Sequence, residues 1–411
     1  MSARFVETGH RSATVRRANL SVIMRELHRS GGSSRSDLVD HAGLTRSAVR
    51  DLVGELASLG LAREERAVSR GRPGRPSALV RPEPTGAVVL ALEIAVDSLA
   101  VAAVGLGGQV SDEVRAERPR GRVSFDQTVE DLTALARAVR DRMPERDTLI
   151  GIGVAVAGIV RRSDGFVRLA PNLGWTDVPL GVRVAEAMTP GPTVSVANEA
   201  DLGALAELWR GAAVHKRDVL FISGEVGVGG GLIVDGRPLM GTSGYGGEVG
   251  HIPVNPAGVA CRCGSFGCWE TEVGEGMLLT RAGRPPGGGR EAVDAVLEEA
   301  AAGSPAAIAA LEEVGRWLGV GLAGLVNVFD PELVVLGGRL ERIYPFVITA
   351  LRNELERRAL PVSRQLVSLV PAMLGANAAL LGAAELAFEP LLADPAAQAP
   401  QHGHADRSAA A

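Results

Sequence analysis

Cys261, Cys263 and Cys268 are the only three cysteines in 411 residues, and they fall within eight positions of one another, beginning ten residues after His251. Thiolate and imidazole are soft or borderline donors, and four of them at this spacing suit a tetrahedral metal, with zinc as the occupant. Cys263 and Cys268 bracket Gly264-Ser265-Phe266-Gly267, a turn-forming stretch that lets the backbone wrap an ion. Four protein donors leave no open position for a water nucleophile, so such an ion is structural. The alternative is a set of inert buried thiols, but free cysteines have no reason to cluster.

The length allows two or three domains with ample core. A hydrophobic fraction of 46% with only 3% aromatics means that core is built from Ala, Val and Leu. No apolar run approaches the roughly 18 residues that span a bilayer, and MSARFVETGHRSATVRR lacks a signal-peptide stretch, so a cytoplasmic protein with no membrane partner is expected. Cysteines arranged for metal rather than pairing agree with a reducing compartment. The net charge of -5 hides an asymmetry: residues 1–82 hold 15 Arg and Lys against 8 Asp and Glu, or +7, leaving -12 for the rest. A basic head on an acidic body points to a polyanionic partner for the head.

Residues 1–16 read as a flexible arm. From Arg17, Leu20, Ile23, Met24 and Leu27 fall at helical spacing up to Gly31-Gly32. A second helix follows, capped by Ser34 or Ser36, with Leu38, Val39 and Ala42 inward and Gly43 as its stop. Thr45 opens a third helix with Val49, Leu52, Val53, Leu56 and Leu59 on one face. The tight turn between these two helices makes a helix-turn-helix. Leu61-Ala62-Arg63-Glu64 reads as a strand, and SRGRPGRPSALVRPEP, from which Arg70, Arg72 and Arg75 protrude, resembles the wing of a winged helix-turn-helix spanning 17–82.

From about Gly86 the texture becomes α/β. VVLALEIA with SLAVAAVGL predicts a hairpin, 127–143 a helix, LIGIGVAVAG a buried strand, and TVSVANEA a strand leading to a helix at Leu202–Trp209. DVLFISGEVGVGGGLIVDG predicts another hairpin and ELVVLGG a late strand after a helix near 306–328. The tail, 393–411, rich in Ala, Pro, Gln and His, reads as disordered.

Residues 17–388 resemble the ROK proteins, a family of transcriptional repressors and sugar kinases on an actin-like ATPase fold. The likeness is strongest at GEVGH…CRCGSFGCWE, which fits the pattern GExGH…CxCGxxGCxE at every motif position. It implies a winged helix-turn-helix followed by a two-lobed body at 86–390. It also implies zinc on His251, Cys261, Cys263 and Cys268, and a sugar facing Asn198, Glu199, Glu248, His251 and Glu270, with Asn172 nearby. Carboxylate, amide and imidazole groups suit a ring of hydroxyls, each both donor and acceptor.

Three segments depart from the kinases of that family. Where they read D-x-G-G-T, this chain has Glu93-Ile94-Ala95-Val96-Asp97, so side chains replace glycines whose amides would approach phosphate, and a carboxylate replaces a hydroxyl. Where they read G-T-G-x-G-G-G, it has Glu225-Val226-Gly227-Val228-Gly229-Gly230-Gly231. Their N-D-A-N is Asn198-Glu199-Ala200-Asp201 here, which moves the general base by one methylene. In the head, Thr45, Arg46, Ser47 and Arg50 stand where a recognition helix meets DNA. The expectation is a sugar-responsive repressor without enzyme activity, a homodimer or homotetramer, with operator DNA and a small carbohydrate as partners. The alternative is a sugar kinase carrying a DNA-binding head.

Overall fold

The computed structural model describes residues 12–65, 78–121 and 124–400. The head comprises α1 (Ser12–Ser30), β1 (Ser33–Ser34), α2 (Arg35–Ala42), α3 (Arg46–Ser58), β2 (Ala62–Glu65) and β3 (Leu79–Pro82). Ser34 caps α2 by accepting from the Asp37 amide at 3.2 Å, and Gly43, at φ 63°, ends it. Thr45 caps α3 through the Ala48 amide at 3.3 Å. Leu20, Ile23, Met24 and Leu27 of α1 pack with Leu38 and with Val49, Leu52, Val53 and Leu56 of α3. The three strands form an antiparallel sheet in the order β1-β3-β2. The wing segment, 66–77, with Arg70, Arg72 and Arg75, lies outside the described residues.

The first helix begins at Ser12, inside the stretch read as an arm. Contacts distant in sequence supply the reason: Arg16 pairs with Glu55 of α3, and Arg17 reaches Asp394 at 3.2 Å.

The first lobe of the body contains β4 (Ala87–Ile94), β5 (Ser98–Gly105), β6 (Gln109–Glu117), α4 (Phe125–Asp141) and β7 (Thr148–Val156). A small sheet follows, β8 (Ile159–Arg161), β9 (Phe166–Ala170) and β10 (Trp175–Val178), then α5 (Leu180–Ala187), β11 (Val194–Asn198) and α6 (Glu199–Arg210). The main sheet runs β11-β7-β4-β5-β6, with β4 and β5 forming the expected hairpin. Helix α6 starts three residues earlier than expected because Asn198 caps it.

The second lobe contains β12 (Val219–Gly224), β13 (Val228–Val234), β14 (Arg237–Pro238), α7 (Trp269–Val273), α8 (Glu275–Arg281), α9 (Gly289–Ala301) and α10 (Pro305–Phe329). It continues through β15 (Leu333–Gly338), α11 (Arg339–Arg358), α12 (Pro361–Leu366) and β16 (Ser368–Pro371), giving the sheet β14-β13-β12-β15-β16.

The chain then returns through α13 (Ala378–Ala393) to α14 (Pro395–Gln398). Helices α6 and α13 lie against each other, α6 on β12 and β13, α13 on β4 and β7, so the pair sits between the two sheets. The segment Gly375–Ala393 is long and apolar enough by composition to cross a membrane, contrary to the expectation that no such run exists. Here Leu380, Ala383, Ala384, Ala387, Phe388 and Leu391 of it fill the protein core. The tail expected to be disordered from 393 is ordered through 400: Asp394 accepts from the Ala397 amide at 3.4 Å and Pro395 is buried.

Candidate functional site

The segment 251–268 has little regular structure and is organised by its own backbone. The Cys261 amide donates to the Ser265 carbonyl at 2.8 Å, and the Gly264 amide to the Cys261 carbonyl at 3.0 Å. Gly267 sits at φ 62°, and a Cβ there would strike the Asn255 carbonyl oxygen, so the turn admits only glycine.

This folding brings one ligand atom each from His251, Cys261, Cys263 and Cys268 within 4.8 Å of one another. Cys263 Sγ and Cys268 Sγ are 3.7 Å apart, as are Cys261 Sγ and His251 Nδ1. A tetrahedron with Zn–S near ~2.3 Å and Zn–N near ~2.0 Å has edges of roughly 3.5–3.8 Å, so the donor set fits that ion in both chemistry and spacing. Burial raises the Cys261 and Cys268 thiols, and a divalent cation would offset that cost.

The pocket beside this cluster gathers Asn172, Asn198, Glu199, Glu248, His251 and Glu270, with Val96, Ser223, Val226 and Gly227 completing the wall. All five residues expected to face a sugar therefore share one cavity. The His251 ring connects the two sites: Nδ1 faces Cys261, while Nε2 lies 4.0 Å from Glu248 Oε2. Glu270 lies on the other side, its Oε1 2.9 Å from Cys261 Sγ and 3.6 Å from His251 Nδ1. Gly227 survives from the second glycine loop for a local reason, since a Cβ there would collide with Glu270 Oε2.

Asn198 is largely committed to the backbone. Its Oδ1 accepts from the Ala200 and Asp201 amides at 2.7 and 3.3 Å, and its Nδ2 donates to the Gly158 carbonyl at 2.9 Å, leaving one N–H for a ligand. Glu199, the first residue of α6, is pushed up to about 8 by burial and then by Glu225, Glu93, Asp97 and Glu248. At neutral pH it is mostly protonated and offers an O–H to a ligand oxygen. Asp201 and Glu93 are each pushed up to about 7, chiefly by burial.

Raised carboxyl values make the fold retain protons that the unfolded chain releases. The Glu199 contribution to stability is complete below the ordinary glutamate value and is lost as pH rises through about 8. Glu199→Gln should therefore flatten the fall in melting temperature between about pH 5 and about pH 9 relative to the parent. Parallel melting curves for the two proteins would refute this assignment.

Between the lobes, where the two phosphate loops of a kinase would converge, the chain supplies its own ion pairs. Arg120 Nη2 donates to Asp97 at 2.7 Å, and its Nη1 reaches across to Glu275 Oε1 at 2.5 Å. Arg339, at the start of α11, pairs with Glu275 and lies 3.7 Å from Asp97 and 3.5 Å from Glu225. Burial alone would raise Asp97, but the Arg120 hydrogen bond and charge outweigh it and hold the carboxyl below its ordinary value. The carboxylate that replaces a hydroxyl at Asp97 is thus not bare but paired, and Arg120 and Glu275 line a cavity of about 750 Å³ together with Val96, Val226 and Gly227. Arg120, Glu275 and Arg339 were invisible in sequence because no local motif joins positions so far apart.

In the head, Thr45, Arg46, Ser47 and Arg50 are exposed at the start of α3, while Val49 and Leu52 are buried.

Comparisons with known proteins agree with this architecture. A putative xylose repressor from Caldicellulosiruptor sp. (strain Rt8B.4) is 28% identical over 396 residues, covering 93% of this chain and 98% of that one. The crystal structure of a ROK family transcriptional regulator, a homolog of the E. coli MLC protein, superposes with a TM-score of 0.76 at 26% identity, over 92% of this chain and 97% of its own. A ROK family glucokinase from Streptomyces griseus, in complex with glucose and AMPPNP, gives 0.64 at 28% identity, over 74% and 99%. The ROK family pattern itself matches residues 89–389, and the chain belongs to that family.

Proposed function

We propose that this ROK protein is a sugar-responsive transcriptional repressor. Its winged helix-turn-helix, at 17–82, binds operator DNA, and its body, at 86–390, binds a small carbohydrate. The relatives named as repressors, which match head and body together, support this reading. The observation that carries it is the coexistence of a pocket that gathers the five polar residues with a phosphate-loop junction whose charged side chains, Asp97, Arg120, Glu275 and Arg339, are already paired with one another.

In this reading Glu248, Glu270 and His251 accept from and donate to sugar hydroxyls, Glu199 donates its acid proton, and Asn198 adds its remaining N–H. Zinc, when bound by His251, Cys261, Cys263 and Cys268, supplies a cross-link that holds the segment 251–267, and with it His251, against Glu270 of α7. No water position remains on such an ion, so it has no direct part in chemistry. The working species is a homodimer or homotetramer in the cytoplasm, where the DNA is. A two-fold dimer would match a pseudo-palindromic operator.

The kinase alternative has one observation in its favour, the likeness to a glucokinase. Against it, phosphate would have to displace Asp97 from Arg120 and Glu275 from Arg339, while Ala95 and Val96 occupy positions where kinases approach phosphate with glycine amides and Val226 stands where they carry a threonine hydroxyl. Accordingly, ATP at about millimolar concentration with magnesium should bind undetectably and give no sugar-dependent hydrolysis. A coupled assay with D-xylose, D-glucose and N-acetyl-D-glucosamine checks this, and turnover near ~1–10³ per second would overturn it. The positive test is operator affinity with and without each sugar: an affinity shift that Glu248→Ala removes supports regulation, and indifference to every sugar refutes it.

A further inference from the structure

The sugar pocket and the head touch opposite ends of one helix. At its N-terminus, α6 carries Glu199 in the pocket wall, with the Asn198 cap one residue before it. Eleven residues after Glu199 it ends in Trp209 and Arg210, about 16 Å away at ~1.5 Å per residue. Both terminal side chains engage the last turn of α1, in the head.

Arg210 is the centre of this joint. Its Nε donates to Glu385 Oε1 of α13 at 2.5 Å, and its Nη1 donates to the Gly107 carbonyl at 2.7 Å and the His28 carbonyl at 3.2 Å. His28 Nδ1 accepts from the Gly107 amide at 3.1 Å, and its Nε2 lies 2.7 Å from Glu385 Oε2 and 2.8 Å from Arg210 Nη2. His28 and Glu385 are fully buried. Beside them, the Arg29 guanidinium sits 4.3 Å above the Trp209 ring.

The helix between these ends has no slack. Added Cβ atoms at Gly231 of β13 and Gly382 of α13 would strike the α6 carbonyls of Ala200 and Leu202, so backbone lies directly on backbone on two sides. Packing this tight moves as a unit rather than deforming. A displacement of α6 together with β13 is therefore delivered whole to the carbonyl end of α1.

We propose that Arg210 and Trp209 are the positioning residues that couple sugar binding to the orientation of the DNA-binding head, with α6 as the rod between them. This rests on the regulatory reading above. Coupling is reciprocal, so it is measured as one factor: the ratio of operator affinities with and without sugar, which equals the ratio of sugar affinities with and without DNA.

The test uses the full chain, an operator duplex selected by the parent from random sequences, and D-xylose, D-glucose and N-acetyl-D-glucosamine as probes. Arg210→Met combined with Glu385→Gln removes the charge pair without stranding a buried charge. Arg29→Ala tests the same joint from the surface, where folding is not at stake. The double variant should keep sugar-free operator affinity and DNA-free sugar affinity within about twofold of the parent while the coupling factor falls about tenfold; Arg29→Ala should lower it about twofold to threefold. A merely structural role would lower both affinities together. Parent-like coupling in Arg29→Ala, or in a folded double variant, overturns the proposal, whereas a parent that responds to none of the sugars refutes the regulatory reading instead.

Discussion

Cys268→Ser is expected to yield a folded protein that has lost its metal and most of its sugar response. The parent should carry about one zinc per chain. Structural sites of this kind bind with apparent free energies of about 10–16 kcal/mol in small peptides, and removing one of the four ligands, a thiolate, forfeits a large part of that. The loss should remain local. Next to Cys268, Trp269 is fully buried, and its indole N–H donates to the Trp317 carbonyl at 2.8 Å, so α7 stays anchored on α10 without the ion.

What the ion holds is the segment 251–267, and with it the register between His251 and Glu270 across the pocket mouth. Freed of the cross-link, His251 and Glu270 no longer converge, and sugar affinity should fall at least about tenfold while far-ultraviolet circular dichroism stays near that of the parent. Elemental analysis of protein purified without chelator decides the first point. Well under half an equivalent of any transition metal in the parent would remove the basis for the site, and full sugar affinity in metal-free Cys268→Ser would separate the ion from the pocket.

The parts of this molecule that sequence made legible are those whose causes are local. Cys261, Cys263 and Cys268 lie on one loop with His251, so their spacing already encodes their convergence. Ser34, Gly43 and Thr45 mark the ends of α2 and α3 through hydrogen bonds and backbone angles within four residues. The features that escaped are made by tertiary contact. Nothing near Ser12 announces a helix start, because α1 is held by Glu55, by Asp394 and by the Leu392 carbonyl, which accepts from Ser21 at 2.6 Å. The ion pairs of the cleft join Asp97 and Arg120 of one lobe to Glu275 and Arg339 of the other, and no periodicity links those positions. Asn198 was legible as a pocket residue but not as the cap of α6, which is where most of its hydrogen-bonding capacity goes.

Arg46→Ala and Arg50→Ala should each cost about 1–3 kcal/mol in operator binding, about 5- to 150-fold in affinity, if the side chain reads a base edge. The geometry of α3 is the reason. Val49, Leu52, Val53 and Leu56 face the head's core, which fixes the rotation of the helix and leaves Arg46, Ser47 and Arg50 outward at its first turns. Thr45 holds the amide end in place and the helix dipole adds positive potential there, so this end suits the major groove and its flanking phosphates. Arg50 leans on its neighbour Asp51 at 3.2 Å, but both side chains are more than half exposed, so that pair is weak and DNA can displace it. The two variants should also lose discrimination between the selected operator and a scrambled duplex, because base contacts specify while phosphate contacts only position. An arginine that touches phosphate alone would instead lower affinity for both duplexes equally and reduce the salt slope by about one. Titrating both duplexes at two salt concentrations separates these roles. Variants that bind the operator as tightly as the parent at both would show that α3 is not the element that reads DNA.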